Sequence, residues 1–337
     1  MGCSVTIREV AKRAGVSIAT VSRVLNSSER VSSDAKQAVE LAIQELNYQK
    51  PTAKRKKATK LFAVVVRNMS NPFFAQLIDV LEQEAYKHGR SILLFNSRNN
   101  LQLEKTFLSE CVNHKVDGVF LIPRSLKQEH LSELGKLPFP VVLLTTTIAG
   151  MASIGTNHKH GGEQAAEHFI KCGYRRVGFI GASDTVSERF IGFRDRLVQK
   201  GIELAEERIL APYTLKQLQS YMQANLVEAS NPIEAVFCSD DIAAGHVYNE
   251  LKVLDSRDTL AIDLVGFDDT VIAQSLGFSS IQQPIKQIAL LGFDTMIAAL
   301  NAGQLEQAPT LLEPSLVVRH APKIGQVERT PEILRNE

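Results

Sequence analysis

The chain has 337 residues, 44% of them apolar and 22% charged, a composition that excludes disordered and fibrous proteins and leaves room for two or three domains. Its four cysteines (Cys3, Cys111, Cys172, Cys238) show no C-x-x-C spacing, so neither a zinc knuckle nor a disulfide framework is indicated, and no apolar run is long enough to cross a bilayer. The net charge of +1 conceals an asymmetry: residues 1–60 hold twelve Lys or Arg against five Asp or Glu, a net +7, leaving 26 against 32, a net −6, for the rest.

A basic head on an acidic body is the footprint of a small module for a polyanion, although a solvated basic surface gives the same count. Arg8, Glu9, Lys12 and Arg13 interrupt any signal-peptide core, so the expected compartment is the cytoplasm, with association to the nucleoid. Residues 5–48 read as three short helices. Ile7, Val10, Ala11 and Ala14 give the first helix one apolar face. Gly15 supplies a left-handed terminus, and Ser17 caps a second helix running to about Asn26. Ser32 or Ser33 caps a third, along which Ala35, Ala38, Val39, Ala42, Ile43 and Leu46 continue the apolar stripe. On the second helix Val21, Val24 and Leu25 point one way; Ala19, Ser22, Arg23 and Asn26 point the other. Such a face of small side chains with one cation fits a major groove, where arginine can pair bidentately with guanine. An ordinary helical hairpin with an exposed arginine is the plainer alternative. Residues 49–60 (QKPTAKRKKATK) contain Pro51, six Lys or Arg and no large apolar side chain, and read as a linker.

From Leu61 onward, continuously apolar runs at 61–66, 91–95, 117–122, 141–144, 176–181, 235–239 and 264–267 alternate with helical stretches such as 73–88, 158–172, 187–200 and 241–253. Runs without polar alternation are what strands covered on both faces require, so the pattern predicts doubly wound parallel sheets. About 260 residues is large for one such unit, which predicts two lobes. Ligands in these folds sit beyond the carboxyl ends of the strands, so the polar residues following each run are the candidates for a site. No G-x-G-x-x-G, G-x-x-x-x-G-K-[ST], H-E-x-x-H or G-x-S-x-G occurs, and Ser33-x-x-Lys36 lies on the third head helix, so no enzyme is expected. His158 and His160, near Glu163 and His168, invite a metal reading, but histidines at i, i+2 near a helix start do not share a face; no metal and no cofactor are expected.

The run A-x-x-A-G-V-S-x-x-T-V-S-R-V-L-N (11–26), followed by Val31-Ser32 and Leu46-Asn47-Tyr48, resembles the headpiece of the LacI/GalR family of bacterial repressors. The resemblance continues through Ser70-Asn71-Pro72-Phe73-Phe74, Arg175 to Gly181, Arg189-Phe190-Ile191-Gly192-Phe193, Phe237 to Asp241, Val265 to Asp269 and Gln283-Pro284. It implies that Ile18 and Ala19 read bases at the start of the recognition helix and that Arg23 is a base-contacting arginine. It places Thr6, Ser17, Thr20, Ser22, Asn26 and Arg30 near phosphates or the groove edge. It also implies a body with a two-lobed, periplasmic-binding-protein-like fold whose cleft takes a small effector, often a sugar or nucleoside. Carried over, the effector residues are Phe73, Phe74, Arg189, Phe237, Ser239 and Asp268, with Gln283 and Arg124 in addition. Carboxylates, guanidinium groups and aromatic faces in that combination suit a polyhydroxylated ligand. Phe73, Phe74 and Phe237 read equally well as plain core, and Asp240 reads better as a helix N-cap than as a ligand contact.

Three departures from the family pattern stand out. The stretch before the body is shorter than usual and lacks the leucine that wedges into the minor groove; Lys54, Arg55, Lys56 and Lys57 are expected to grip phosphates instead. Asn157 replaces the carboxylate of the family's D-N-x-x-G-G, which points to a different effector. The tail after Arg319 shows no heptad stripe, so a tetramerising coil is not indicated.

The resulting expectation is an N-terminal all-α helix-turn-helix headpiece (1–49), a basic hinge linker (50–60), an α/β two-lobed effector-binding and dimerisation domain (61–320) and a tail (321–337). Lobe 1 is placed at about 61–156 plus about 285–310, and lobe 2 at about 157–284 plus about 311–320. The expected partners are a palindromic double-stranded DNA operator, a small polar metabolite and a second copy of the chain, with no membrane. One helix-turn-helix reads too little DNA alone, hence the homodimer. A solute-binding protein of a transport system is the alternative that the body alone would fit.

Overall fold

The computed structural model describes residues 6–25, 32–46, 48, 58–124, 128–181, 187–254, 262–303, 305 and 308–319. The expectations for Asn26, Arg30, Lys54, Arg55, Lys56 and Lys57, and for the tail 321–337, lie outside the described residues. The chain divides into two units between Ala58 and Thr59.

In the first unit, helices α1 (Ile7–Ala14), α2 (Ile18–Leu25) and α3 (Ser33–Glu45) form around a small core. Thr6 opens α1 with a reciprocal capping box to Glu9, and Gly15 closes it at φ 68°, donating its N–H to the Ala11 carbonyl. The turn then delivers Ser17, whose Oγ accepts from the Thr20 N–H at 3.1 Å and so starts α2. Ser32 stands at the N-cap of α3 without a side-chain capping bond. Val10, Val21 and Val39, one from each helix, are fully buried together with Ala11, Ala42 and Tyr48. At about 1.5–3 kcal/mol per buried large apolar side chain, these few contacts set the angle between α1 and α2.

The second unit contains two six-stranded sheets. One has the order β11-β5-β4-β3-β1-β2, built from β1 (Leu61–Val66), β2 (Ser91–Asn96), β3 (Gly118–Ile122), β4 (Val141–Leu144), β5 (Ser153–Thr156) and β11 (Pro309–Leu312), all parallel. The other has the order β12-β10-β9-β8-β6-β7, built from β6 (Val177–Ile180), β7 (Ile209–Leu210), β8 (Ala235–Cys238), β9 (Asp263–Asp268), β10 (Ser279–Gln282) and β12 (Ser315–Val317); only β12 is antiparallel to its neighbour. Between them in sequence run α4 (Pro72–Lys87), α5 (Leu101–Asn113), α6 (Gln128–Leu134), α7 (His158–Lys171), α8 (Glu188–Gln199), α9 (Leu215–Met222), α10 (Asp241–Leu254), α11 (Val271–Leu276) and α12 (Ile285–Ala302).

Strand β1 shows why the apolar runs do not alternate. Phe62, Val64 and Val66 enter one core with α4 and α12, whereas Ala63 and Val65 enter another on the opposite face of the sheet. The second sheet is likewise covered on both faces, with a phenylalanine-rich core against α7 and α8 and a second core that takes in α9, α10 and α11. The chain passes from one sheet to the other three times, after β5, after β10 and between β11 and β12. Asn157 stands at the first passage. Its Oδ1 accepts from the His160 N–H at 3.1 Å, and its Nδ2 donates to Glu313, at the third passage, at 3.0 Å.

Candidate functional site

A cavity of about 610 Å³ opens between the carboxyl ends of the two sheets. Its size lies within the range of small-molecule sites. Lobe 1 contributes residues that follow β1 and β3, Arg67 and Arg124, and the start of α4. Asn71 caps α4, its Oδ1 accepting from the Phe73 N–H at 2.9 Å, and Phe73 and Phe74 face the cavity from the first turn. With its Oδ1 held by the cap, the amide nitrogen of Asn71 points across to lobe 2 and donates to Asp268 Oδ2 at 3.1 Å.

Lobe 2 contributes Asp268, the last residue of β9. It is 2% exposed and held at φ 106°. Its other oxygen accepts from Gln283 Nε2 at 2.6 Å and lies 3.3 Å from Arg189 Nη2. Burial pushes the Asp268 carboxyl above its ordinary value, and the Arg189 guanidinium opposes that rise. Thr145, across the cavity on lobe 1, is also held at positive φ, 68°. Strained backbone of this kind at a non-glycine residue persists only where the surroundings fix it, and it concentrates at ligand sites.

Arg189 is held by several contacts at once. Its guanidinium stacks 3.7 Å from the Phe267 ring centroid, Nε donates to His158 Nδ1 at 3.2 Å, and Nη1 donates to the Ser239 carbonyl. His158 is consequently neutral: burial foremost, then the positive charge of Arg189, hold it well below 6.5, against a hydrogen bond to the Thr145 backbone. Two glycines bring these groups together. A Cβ on Gly162 of α7 would stand 2.0 Å from the Arg189 carbonyl oxygen, and one on Gly192 of α8 would stand 2.0 Å from the Lys159 carbonyl oxygen. Only bare backbone lets the helices approach closely enough for their first residues to share the cavity.

Of the effector residues expected from the sequence, Phe73, Phe74, Arg124, Arg189, Ser239, Asp268 and Gln283 line the cavity. Phe237 does not: it is fully buried within lobe 2, its ring 5.7 Å from that of Phe179 and 5.0 Å from that of Phe193. Asp240 takes both parts, accepting from the Ala243 N–H at 2.8 Å and lining the cavity. Asn157 is engaged at the passage between lobes and is not part of the lining. The cavity also contains Arg67, Asn71, His158, Tyr213 and His246, which the sequence reading did not assign to it. Arg67 directly follows the first apolar run, and that position was the available signal. Tyr213 and His246, joined by a 2.8 Å hydrogen bond, gave none.

In the first unit, Ser17, Ile18, Ala19 and Arg23 are exposed, Thr20 and Ser22 are half-buried, and Val21 between them is buried. Ile18 is 47% exposed at the head of α2, an apolar side chain without a core to fill. The Thr20 hydroxyl is 2.9 Å from Ser17 Oγ, and Thr6 Oγ1 donates to Glu9 at 2.9 Å.

The family model described as bacterial regulatory proteins, lacI family, matches residues 6–50, and the model of periplasmic binding proteins and the sugar binding domain of the LacI family matches residues 59–300. The chain belongs to the LacI family. Members of this family are transcriptional regulators and not enzymes. This LacI-family chain is 28% identical over 330 residues to the ribose operon repressor of Halalkalibacterium halodurans, covering 95% of this chain and 98% of that one. It is 30% identical over 331 residues to the HTH-type transcriptional repressor PurR of Proteus mirabilis, covering 94% and 96%. Its fold is similar to that of the Lac repressor dimer bound to operator and the anti-inducer ONPF, with a TM-score of 0.67, 24% identity, and coverage of 94% of this chain and 98% of that chain. The helix-turn-helix unit and the two-lobed body of parallel sheets are thus those of the LacI family.

Proposed function

We propose that the chain is a sequence-specific DNA-binding repressor whose operator affinity is set by a small polar metabolite, a sugar, sugar derivative or nucleoside, held between the two lobes of its body. One observation carries the reading. The same chain joins a three-helix unit with an exposed Ser17–Arg23 face to a cleft in which the Asp268–Arg189 ion pair forms one wall of a cavity sized for such a ligand. In this reading Arg23 contacts guanine, and Ile18 and Ala19 offer apolar contact to thymine methyl groups. Thr6, Ser17, Thr20 and Ser22 set the register on phosphates, with Asn26 and Arg30. Lys54, Arg55, Lys56 and Lys57 add sequence-independent grip, so neutralising all four flattens the salt dependence of binding.

The protein acts as a homodimer on a palindromic operator, in the cytoplasm at the nucleoid. The boundaries 1–49, 50–60 and 61–320, with the tail 321–337, divide these tasks. The effector works by linkage: it changes DNA affinity only by as much as it prefers one arrangement of the protein over the other. Asn71 and Asp268 meet between the lobes, so a ligand that touches both senses that arrangement.

The test is capture of genomic DNA fragments by the purified full chain, followed by mobility shifts of the captured fragment over a panel of sugars and nucleosides. Selective capture and a ligand that alters it support the reading. No preference for any fragment, with or without the panel, overturns it.

A further inference from the structure

The cavity wall is electrically divided. Three guanidinium groups and three carboxylates line it, but all the carboxylates (Glu188, Asp240, Asp268) come from lobe 2, whereas lobe 1 presents Arg67 and Arg124 and no acid. Arg189 belongs to lobe 2 and is committed to Asp268. Among the described residues neither Arg67 nor Arg124 has an acidic partner within 4.0 Å.

The topology sets the two arginines side by side. Arg67 follows the last residue of β1 and Arg124 stands two positions beyond the end of β3, and these strands are neighbours with Val66 opposite Ile122. Arg67 is half-buried, its guanidinium 5.0 Å from the centroid of Phe74. Burial foremost, then the charge of Arg189 and that of Arg124, lower its pKa from the ordinary guanidinium value, against the opposing pull of Asp268 and Asp240 on lobe 2. The first turn of α4, a sixteen-residue helix, faces the same wall and adds the positive end of its dipole. A half-buried cation with a second arginine beside it, and no acid on its own side of the cavity, is an arrangement that a bound anion would relieve.

We infer that the effector is an anionic carbohydrate, a sugar phosphate or sugar acid, with its phosphate or carboxylate held by Arg67 and Arg124 on lobe 1 and its hydroxyl groups turned to Asp240, Asp268 and His246 on lobe 2. The inference rests on the proposed effector site and narrows its ligand. The opposite orientation would set the anion against three carboxylates.

The experiment is isothermal titration of the full-length protein with matched probes: glucose, glucose 6-phosphate and gluconate, then ribose and ribose 5-phosphate. The expected result is binding of an anionic member at least about tenfold tighter than its neutral counterpart, weakened by added salt. Arg67→Gln and Arg124→Gln should each remove most of that preference while Arg67→Lys retains part of it, and glucose 6-phosphate against gluconate distinguishes phosphate from carboxylate. Neutral sugars that bind as tightly as their anionic partners, with binding lost in Asp268→Ala, would overturn the inference and leave the effector site standing. Binding of nucleosides alone, or of no carbohydrate, would overturn the sugar reading and the inference together.

Discussion

Replacing Gly192 with alanine tests whether the approach of α7 and α8 builds the site. Alanine favours a helix over glycine by about 1 kcal/mol, so an open helical position would gain stability. Here the added methyl would lie 2.0 Å from the Lys159 carbonyl oxygen and 2.8 Å from its carbonyl carbon. Ordinary contact begins near 3.4 Å, so the helices would have to part by about 1.4 Å at that point. The obstacle is backbone on a rigid helix, which cannot turn aside as a side chain can. Overpacking of this kind costs about 1–3 kcal/mol, and a backbone clash belongs at the upper end. Net of the propensity gain, about 2 kcal/mol should be lost, a fall in melting temperature of about 4–8 °C. The same displacement would stretch the 3.2 Å contact between Arg189 and His158 past hydrogen-bonding distance, so effector binding should fall as well. Thermal melting of Gly192→Ala beside Gly245→Ala is the assay. Gly245, on α10, meets only the Ile272 methyl at 3.1 Å and the Leu276 methyl at 3.8 Å, and its variant should stay within about 1 kcal/mol of the parent. A Gly192→Ala protein as stable as the parent, with unaltered ligand response, would refute the reasoning.

Three further outcomes are expected. Asn71→Ser keeps a helix cap of similar quality but cannot reach Asp268; leaving that carboxylate one donor short costs about 1.5 kcal/mol, or about 3–6 °C, and a parental melting temperature would mean the contact between lobes carries no energy. Arg23→Ala weakens operator binding by about 1–3 kcal/mol and relaxes the preference at one base pair, measured by titrating single-base operator variants; an equal loss on every variant would make Arg23 a phosphate contact. Glu104 and His130 are 4% and 3% exposed, one Glu104 oxygen is 3.3 Å from His130 Nε2, and burial raises the Glu104 carboxyl to about 7. A folded pKa above the unfolded one stabilises at low pH and that stability is lost as the pH rises through about 7, so Glu104→Gln should gain on the parent by about 2–3 kcal/mol between pH 5 and pH 8; parallel melting curves at the two pH values would refute it.

Most strands legible in the sequence were those that burial makes uniformly apolar; β2, apolar in sequence but only partly buried at the sheet edge, is an exception. β1, β3 and β4 are Leu-, Val- and Phe-rich because helices cover both faces of their sheet. β5 (SIGT) and β10 (SSIQ) escaped notice because they run beside the passages between lobes, where buried positions are polar. Ser280 is fully buried yet donates to Asp241 at 2.6 Å and accepts from the Asp269 N–H at 3.1 Å, so hydrogen bonds replace the apolar signal there. β7, β11 and β12 are two to four residues long, too short to show a period. For the site, motifs located Arg189, Ser239 and Asp268, but spacing alone could not separate Phe237, which fills the lobe 2 core, from Phe73 and Phe74, which border the cavity. The close pairing of Gly162 with the Arg189 carbonyl, and with it the contact of His158 with Arg189, depends on how two helices meet, which no local pattern records.

The triple passage between sheets also orders the birth of the protein on the ribosome. Lobe 1 starts with β1, yet its core is closed by Ile288, Ala289, Phe293 and Met296 of α12, and its edge is completed only by β11 at Pro309–Leu312. Lobe 2 needs just the short β12 beyond its own contiguous stretch. The lobe translated first is therefore finished late, and the apolar face around Leu144 and Phe120 lacks its α12 cover through the synthesis of more than a hundred further residues, an interval in which a nascent chain is open to chaperones.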